Sequence, residues 1–253
     1  MSGHNKWSSI KHRKAAQDAK RGAAFNKLIR ELVVAAREGG GDPATNATLA
    51  SVIERARASS MPKETLERAI ARGAGAGSAE NYERITYEGR GPAGTAMIVL
   101  TLTDNRNRTV ADIRHIFAKH GGSMAENGSV AWMFQRKGQI TVRGSGMTED
   151  ALLEACAEAG AEDFKLDDEV AEIYCAPEDM AAVRAWFKSS DKFKLESAEL
   201  AMIPKETVEV ADENGARKLL KLLDALDEHD DIQMVYSNWS MSDELVEKVA
   251  ASM

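Results

Sequence analysis

The basic residues that could bind phosphate are concentrated in the first part of the chain. Residues 2–37 contain nine lysines and arginines but only two acids, Asp18 and Glu31. This segment therefore carries about +7, whereas the whole chain carries −7 and the remainder about −14. One positive end on a negative body is typical of a nucleic-acid-binding protein with a localised contact surface. The alternative is a solvated helical face.

The candidate contacts in this segment are cations and one aromatic side chain. We expect nucleic acid to be bound by Lys6, Trp7, Lys11, Arg13, Lys14, Lys20, Arg21, Lys27 and Arg30. The lysines and arginines would neutralise phosphates, while Trp7 would stack on bases or wedge between them. A basic N-terminus is also typical of an organelle transit peptide, but the helix that follows is predicted to be an integral folded element.

A second basic motif, Asp104-Asn-Arg-Asn-Arg-Thr109, is predicted to lie between a buried strand and a helix. Arg106 and Arg108 would sit beside free N–H groups at the helix N-terminus, which makes them a candidate anion cradle. Arginine at that end opposes the helix dipole, so a bound anion would relieve the repulsion. The alternative is a solvated turn whose arginines pair with nearby acids.

Aromatic and acidic clusters elsewhere are weaker candidates. Residues 129–135 are predicted to form a strand in which Trp132 and Phe134 share a face, as on the stacking strand of an RNA-binding sheet, although core packing is the commoner role. Acid clusters such as Glu228-His-Asp-Asp231 fall at predicted turns and are expected to be solvated. They lack the paired, buried setting that catalytic carboxylates need.

The sequence contains none of the motifs that would indicate an enzyme, a metal centre or a cofactor. No nucleophile–base–orienter set stands out, and the five histidines have no metal-ligand spacing. We therefore expect no catalytic activity, no metal and no cofactor. No apolar run approaches the ~18 residues that a membrane span needs. Cys156 and Cys175 lie far apart, which suits a reducing compartment.

Helical periodicity predicts that residues 1–78 form a small basic helical domain. A thin helix is expected over Ser9–Arg21, and a stronger one from Phe25 to the glycines at 39–41. Asp42 is predicted to cap the third helix, whose apolar stripe includes Leu49 and Val52. A fourth helix begins at Pro62.

Shorter strands and helices follow, and they predict an α+β fold. Residues 137–203 read β-α-β-β-α-β, the ferredoxin-like order. The elements on either side are each too few to bury their faces, so residues 79–136 and 204–240 are predicted to combine into a second ferredoxin-like α/β sandwich. The third domain is then inserted in the second, and residues 241–253 form a C-terminal tail or short helix.

Three motifs together resemble the YebC/PmpR family, which includes the translational activator of cytochrome c oxidase in mitochondria. They are Gly3-His-Asn-Lys-Trp-Ser-Ser-Ile-Lys11, Asp104-Asn-Arg-Asn-Arg-Thr109 and Gly128-Ser-Val-Ala-Trp-Met-Phe134. The resemblance covers essentially the whole chain. It implies three domains, a cytoplasmic location and no catalytic activity.

The functions described for the family leave two alternatives open, and both involve binding to nucleic acid. Members are described as DNA-binding transcriptional regulators, and others act on the ribosome to help translation through consecutive prolines. The resemblance therefore implies a nucleic-acid partner, either DNA or ribosomal RNA, and in the second case the ribosome. An interpretation from a different class is a protein-interaction adaptor that binds through its acidic domains.

Overall fold

The N-terminal region is helical, as predicted. The computed structural model describes residues 17–75, 82–167 and 169–252, with the backbone alone at 17–21 and 23. Its first three helices are α1 (Gln17–Gly39), α2 (Ala47–Ala58) and α3 (Lys63–Ala74). The predicted apolar stripes meet in one core that contains Leu32 and Val33 of α1 together with Leu49 and Val52 of α2.

Two local predictions in this region are wrong. Gly22 lies inside α1, so the break expected between Arg21 and Phe25 does not occur; the packing of the apolar stripe that follows outweighs the modest cost of one helical glycine. The N-cap of α2 is Asn46 and not Asp42. The Asn46 side chain accepts a hydrogen bond from the Leu49 N–H and donates to the carbonyl oxygens of Ala35 and Gly40, which fastens α2 to the end of α1.

The remaining elements form two antiparallel sheets with helices. The strands are β1 (Glu83–Arg90), β2 (Ala96–Thr103), β3 (Ser123–Ala125), β4 (Phe134–Arg143), β5 (Asp163–Asp167), β6 (Val170–Cys175), β7 (Lys194–Pro204), β8 (Val208–Glu209), β9 (Ile232–Ser237) and β10 (Trp239–Ser240). The helices are α4 (Arg106–Lys119), α5 (Glu149–Ala159), α6 (Met180–Ser189), α7 (Glu213–Asp227) and α8 (Asp243–Ala251), and single 3-10 turns lie at Pro92–Gly94 and Ala131–Met133.

The first sheet has the strand order β3-β1-β2-β9, so it joins strands that are more than 100 residues apart in sequence. One face packs on α4, α7 and α8, with Phe117 and Leu220 among the buried residues. Ile98 on the opposite face packs against Val130 and Phe134. Both faces of β2 are therefore covered, as its apolar sequence predicted. β8 lies outside this sheet and pairs in parallel with β10.

The second sheet has the order β5-β6-β4-β7 with every neighbouring pair antiparallel. With α5 and α6 against one face, this is the predicted ferredoxin-like arrangement. The α+β fold class is confirmed. β4 begins at Phe134 and β7 ends at Pro204, so the sheet extends slightly beyond the predicted limits of 137–203.

The strand predicted over residues 129–135 is wrong. Ala131–Met133 is a 3-10 turn, and Phe134 opens β4 in the second sheet. β3 is the third strand along the chain instead, and it forms an edge of the first sheet. At the C-terminus, the helix alternative is the one observed: α8 is capped by Ser242, and its Val246 and Val249 are buried in the core beside α7.

Candidate nucleic-acid interface

Two of the predicted phosphate-binding cations on α1 contact the protein itself. The Lys27 ammonium donates to the carbonyl oxygen of Asp227 at 2.5 Å, at the end of α7. The Arg30 guanidinium donates to the carbonyl oxygen of Asp230 at 2.7 Å and to Oδ1 of Asp231 at 2.6 Å. These contacts fix α1 to the turn between α7 and β9.

Asp231 is the centre of this contact, and its side chain is only 3% exposed. While Arg30 donates to one carboxylate oxygen, Oδ2 accepts from Thr109 at 2.7 Å, from Arg108 at 2.9 Å and from Thr103 at 3.1 Å. Burial acts to raise the pKa of Asp231, but the hydrogen bonds from Thr109, Arg108 and Arg30 outweigh it and lower that pKa to about 2. The carboxylate is therefore a permanent anion near neutral pH.

Two side chains of the Asp104–Thr109 motif, Arg108 and Thr109, donate to the protein's own anion, Asp231. Asn105 caps α4 by accepting from the Arg108 N–H at 3.1 Å, which places Arg108 in the first turn. From there the Arg108 guanidinium also reaches Asp104 Oδ1 at 2.8 Å, and these two carboxylates together raise its pKa. For Arg108, the alternative in which the arginines of this motif pair with nearby acids is thus the one observed. Arg106 occupies the first position of the same helix.

Sequence reasoning did not identify Asp231 as a site residue, because it belongs to an acidic cluster that was expected to form a solvated turn. The turn is ordered around it: the Asp231 N–H donates to His229 Nδ1 at 3.1 Å, and His229 Nε2 lies 3.3 Å from Oδ2 of Asp112. One signal in the sequence pointed to such a residue. Arginines at the positive end of a helix favour a compensating anion, and Asp231 supplies one to Arg108 from a turn more than 120 residues away.

Comparison with known proteins identifies the chain. The TACO1/YebC N-terminal domain matches residues 5–76, and the TACO1/YebC second and third domain matches residues 82–239. The chain belongs to the TACO1/YebC family. The resemblance carried by the three motifs is thereby confirmed.

Relatives of this family member align with almost its whole length. Proteins of Rubrobacter xylanophilus and Photorhabdus laumondii, each described as a "probable transcriptional regulatory protein", are 50% and 51% identical to it. The matches span 99% and 97% of this chain and 100% and 98% of theirs. A conserved hypothetical protein from Aquifex aeolicus, solved as a crystal structure, matches with a TM-score of 0.83 and 44% identity over 92% of this chain and 96% of that one.

The other predicted contacts of this TACO1/YebC chain are placed only in part. Lys6, Trp7, Lys11, Arg13 and Lys14 lie outside the described residues. Lys20 and Arg21 belong to the first turns of α1, whose later turns carry the Arg30 contact. The described part of the basic segment, from Gln17 on, therefore lies in a helix that is anchored to the rest of the protein.

Trp132 and Phe134 do not share a face, so that prediction is wrong. Phe134 is buried, whereas Trp132 lies on the 3-10 turn and is 66% exposed. Within the described ranges, no group of acids, histidines and cysteines could hold a metal ion. No helix in those ranges has the length and apolar character to cross a bilayer.

Proposed function

We propose that this chain is a non-enzymatic regulator of gene expression that binds nucleic acid, with DNA as its target, through phosphate contacts of its basic N-terminal segment. The observation that carries the proposal is the charge distribution, about +7 over residues 2–37 against about −14 elsewhere. Such a field concentrates a polyanion at one end of the molecule. The description of the relatives as a "probable transcriptional regulatory protein" supports the same class.

The contacts of α1 divide the basic residues into two roles. Lys27, Arg30 and Arg108 donate to groups of the protein, so we assign them to positioning the segment. The phosphate contacts are then assigned to residues N-terminal to them, with help from Arg106 and with stacking or wedging by Trp7. The assigned cations are Lys6, Lys11, Arg13, Lys14, Lys20 and Arg21.

Cellular location follows from the cysteines in this proposal. Cys156 and Cys175 are both buried and unpaired, and burial raises the pKa of both thiols, which keeps them unreactive. Proteins with buried free thiols and no disulfide are typical of reducing compartments. We therefore place the protein in the cytoplasm, where both DNA and ribosomes are accessible.

The proposal is tested by reversing four charges in the basic segment, Lys11, Lys14, Lys20 and Arg21, each to Glu. Binding to duplex DNA and to a ribosomal RNA fragment is measured over a range of salt concentrations. Each phosphate contact contributes ~0.9 to the log–log salt slope on duplex DNA and ~0.7 on single strands, so the slope should fall by roughly 3 to 4. Affinity should fall on all sequences alike, because phosphate contacts carry no base information.

A matched control separates a local contact from a change in overall charge. Lys63, Arg68, Lys188 and Lys192 are exposed on the body, and changing all four to Glu alters the net charge equally. This control should keep the parent salt slope. If the N-terminal variant also keeps the parent affinity and slope on both nucleic acids, the segment is only a solvated face and an adaptor function takes its place. Tighter binding of the parent to ribosomal RNA than to DNA would replace transcription by translation as the process regulated.

A further inference from the structure

The loop formed by residues 126–133 displays a tryptophan to solvent. Its neighbours Val130 and Phe134 are buried in the core behind the first sheet, but Trp132 is 66% exposed. A tryptophan can bury 150–250 Å², so leaving it outside forgoes a large hydrophobic stabilisation. The exposure of Trp132 is therefore not explained by the stability of the fold.

The backbone of this loop is held rigidly from within. Glu88 on β1 is 5% exposed, and its carboxylate accepts from the N–H groups of Gly128 at 2.5 Å, Val130 at 2.7 Å and Ala131 at 2.9 Å. Burial acts to raise the pKa of Glu88, but these backbone hydrogen bonds outweigh it and lower that pKa. Gly128 has a φ of +85°, a conformation that favours glycine. Trp132 is thus displayed on a preorganised loop.

The indole is also fixed at its edge, and a cation is anchored to the backbone of the same residue. The Trp132 Nε1–H donates to the carbonyl oxygen of Ser129 at 3.1 Å, so the polar atom of the ring already has a partner. The Lys205 ammonium donates to the carbonyl oxygen of Trp132 at 2.8 Å, and the Lys205 N–H donates to that of Met133 at 2.9 Å. What remains available to a partner is the flat face of the ring, with a positive charge held at the carbonyl oxygen of the same residue.

This combination suits an unpaired base better than a protein surface. A protein interface is built around a contiguous, well-packed apolar centre that excludes water. In the part of the chain that the structure describes, the exposed large apolar side chains are Trp132, Leu153 and Leu200, far too few for such a centre. Single-stranded nucleic acid is instead recognised by isolated aromatic rings that stack on bases, with cations beside them for the phosphates.

We propose that Trp132 and Lys205 form a stacking site for one unpaired base of a single-stranded nucleic acid, with Lys205 contacting an adjacent phosphate. This inference rests on the proposed function and deepens it, because it adds selectivity for unpaired over paired bases. A base within a duplex is already stacked on both faces and cannot reach the indole without being flipped out. The basic N-terminal segment would bind phosphates in either form.

The test uses the full-length chain and fluorescein-labelled 12-nucleotide probes: single-stranded RNA, single-stranded DNA of the same sequence, and the corresponding duplex DNA. Trp132→Ala should weaken binding to the single strands by about 5- to 150-fold, the range that corresponds to ~1–3 kcal/mol for one base–aromatic stack. Trp132→Phe should keep most of the affinity. Lys205→Gln should lower the single-strand salt slope by ~0.7. None of the three should change duplex binding.

The matched control is Leu153→Ala, which removes another exposed apolar side chain, 62% exposed on α5, and should leave every probe unaffected. A second readout is independent of affinity. Saturating single strand should quench an emission component of the parent protein that Trp132→Phe lacks, whereas duplex should not. The RNA and DNA arms show which single strand the site takes.

Three results would overturn the stacking site. If the parent binds the probes and Trp132→Ala binds single strands equally tightly, the stacking site is refuted while the proposed function stands. If Trp132→Ala loses single-strand and duplex binding to the same extent, the residue does not select unpaired bases. If the parent binds none of the probes, the proposed function fails and the stacking site fails with it.

Discussion

Replacing Asp231 with Asn should loosen α1 from the rest of the protein. The pKa of Asp231 is about 2, against an ordinary value of 3.8, which corresponds to about 2 kcal/mol of stabilisation at pH 7 because one pKa unit is worth ~1.4 kcal/mol. The amide also places an NH₂ group against donors such as Arg108 and Thr109, and leaving buried donors unpaired costs a further ~1–3 kcal/mol. We expect a total loss of about 3–5 kcal/mol.

The stability difference between the parent and Asp231→Asn should depend on pH in a defined direction. Because the folded-state pKa of Asp231 is depressed, its contribution is complete above about pH 4 and is lost as the pH falls through about 2. The difference in free energy of unfolding between the parent and Asp231→Asn, measured by urea denaturation, should therefore shrink by about 1 kcal/mol at pH 3, because the ionisation part falls to roughly half while the penalty for unpaired donors stays. Hydrogen exchange at pH 7 should locate the change in α1 and in the first turn of α4.

Asp104→Asn is the matched control, since Asp104 also pairs with Arg108 but its side chain is 48% exposed. An exposed pair is worth at most ~1 kcal/mol, so this variant should exchange in α1 like the parent. Equal effects of the two variants on α1 would refute the argument that the buried carboxylate holds the helix. A stability difference that is the same at pH 3 and pH 7 would refute the assignment to its ionisation.

Three other predictions concern the loop, the helix contacts and the domain division. Glu88→Gln should lower stability by ~1–3 kcal/mol, because a neutral amide oxygen replaces a carboxylate that accepts several backbone N–H bonds; thermal unfolding measures it, and an unchanged melting temperature would contradict it. Gly73→Ala should destabilise by ~1–3 kcal/mol because its methyl group would collide with the carbonyl oxygen of Val33, whereas Gly22→Ala, with nothing within 4 Å, should stabilise by up to ~1 kcal/mol; equal melting temperatures for the two would contradict this. Residues 134–204 expressed alone should unfold cooperatively on heating, since their sheet and helices form a core of their own. A non-cooperative transition would contradict the proposed insertion of that domain.

Sequence periodicity predicted the elements whose formation depends on local patterning. The stripe through Leu28, Leu32 and Val33 placed a core helix correctly, and the β-α-β-β-α-β order placed the second sheet. The break predicted between Arg21 and Phe25 is wrong, because one helical glycine, Gly22, costs less free energy than the packing of the following stripe contributes. Local patterning also cannot show which distant strand completes a sheet, although incomplete units on both sides of 137–203 indicated that they combine.

The failures at the candidate site have a shared physical cause. The apolar run Val130-Ala-Trp-Met133 looks like a strand, but its backbone N–H groups are engaged by Glu88, more than 40 residues earlier in the chain. Asp231 looks like a solvated turn residue, but its donors come from α1 and α4. A buried carboxylate is determined by donors that converge from distant segments, and no window of neighbouring residues records that convergence.

The two buried carboxylates also bear on where an external anion can bind. Clusters of donors such as those around Asp231 and Glu88 have the features of phosphate sites, namely an arginine at a helix N-terminus in one case and converging backbone N–H groups in the other. In both clusters the protein's own anion occupies the position a phosphate would take. Binding a phosphate there would require expelling a buried charge, which costs several kcal/mol. Nucleic acid is therefore expected to bind outside these clusters. The expected contacts are the basic segment that Arg30 anchors and Trp132, which lies on the loop held by Glu88.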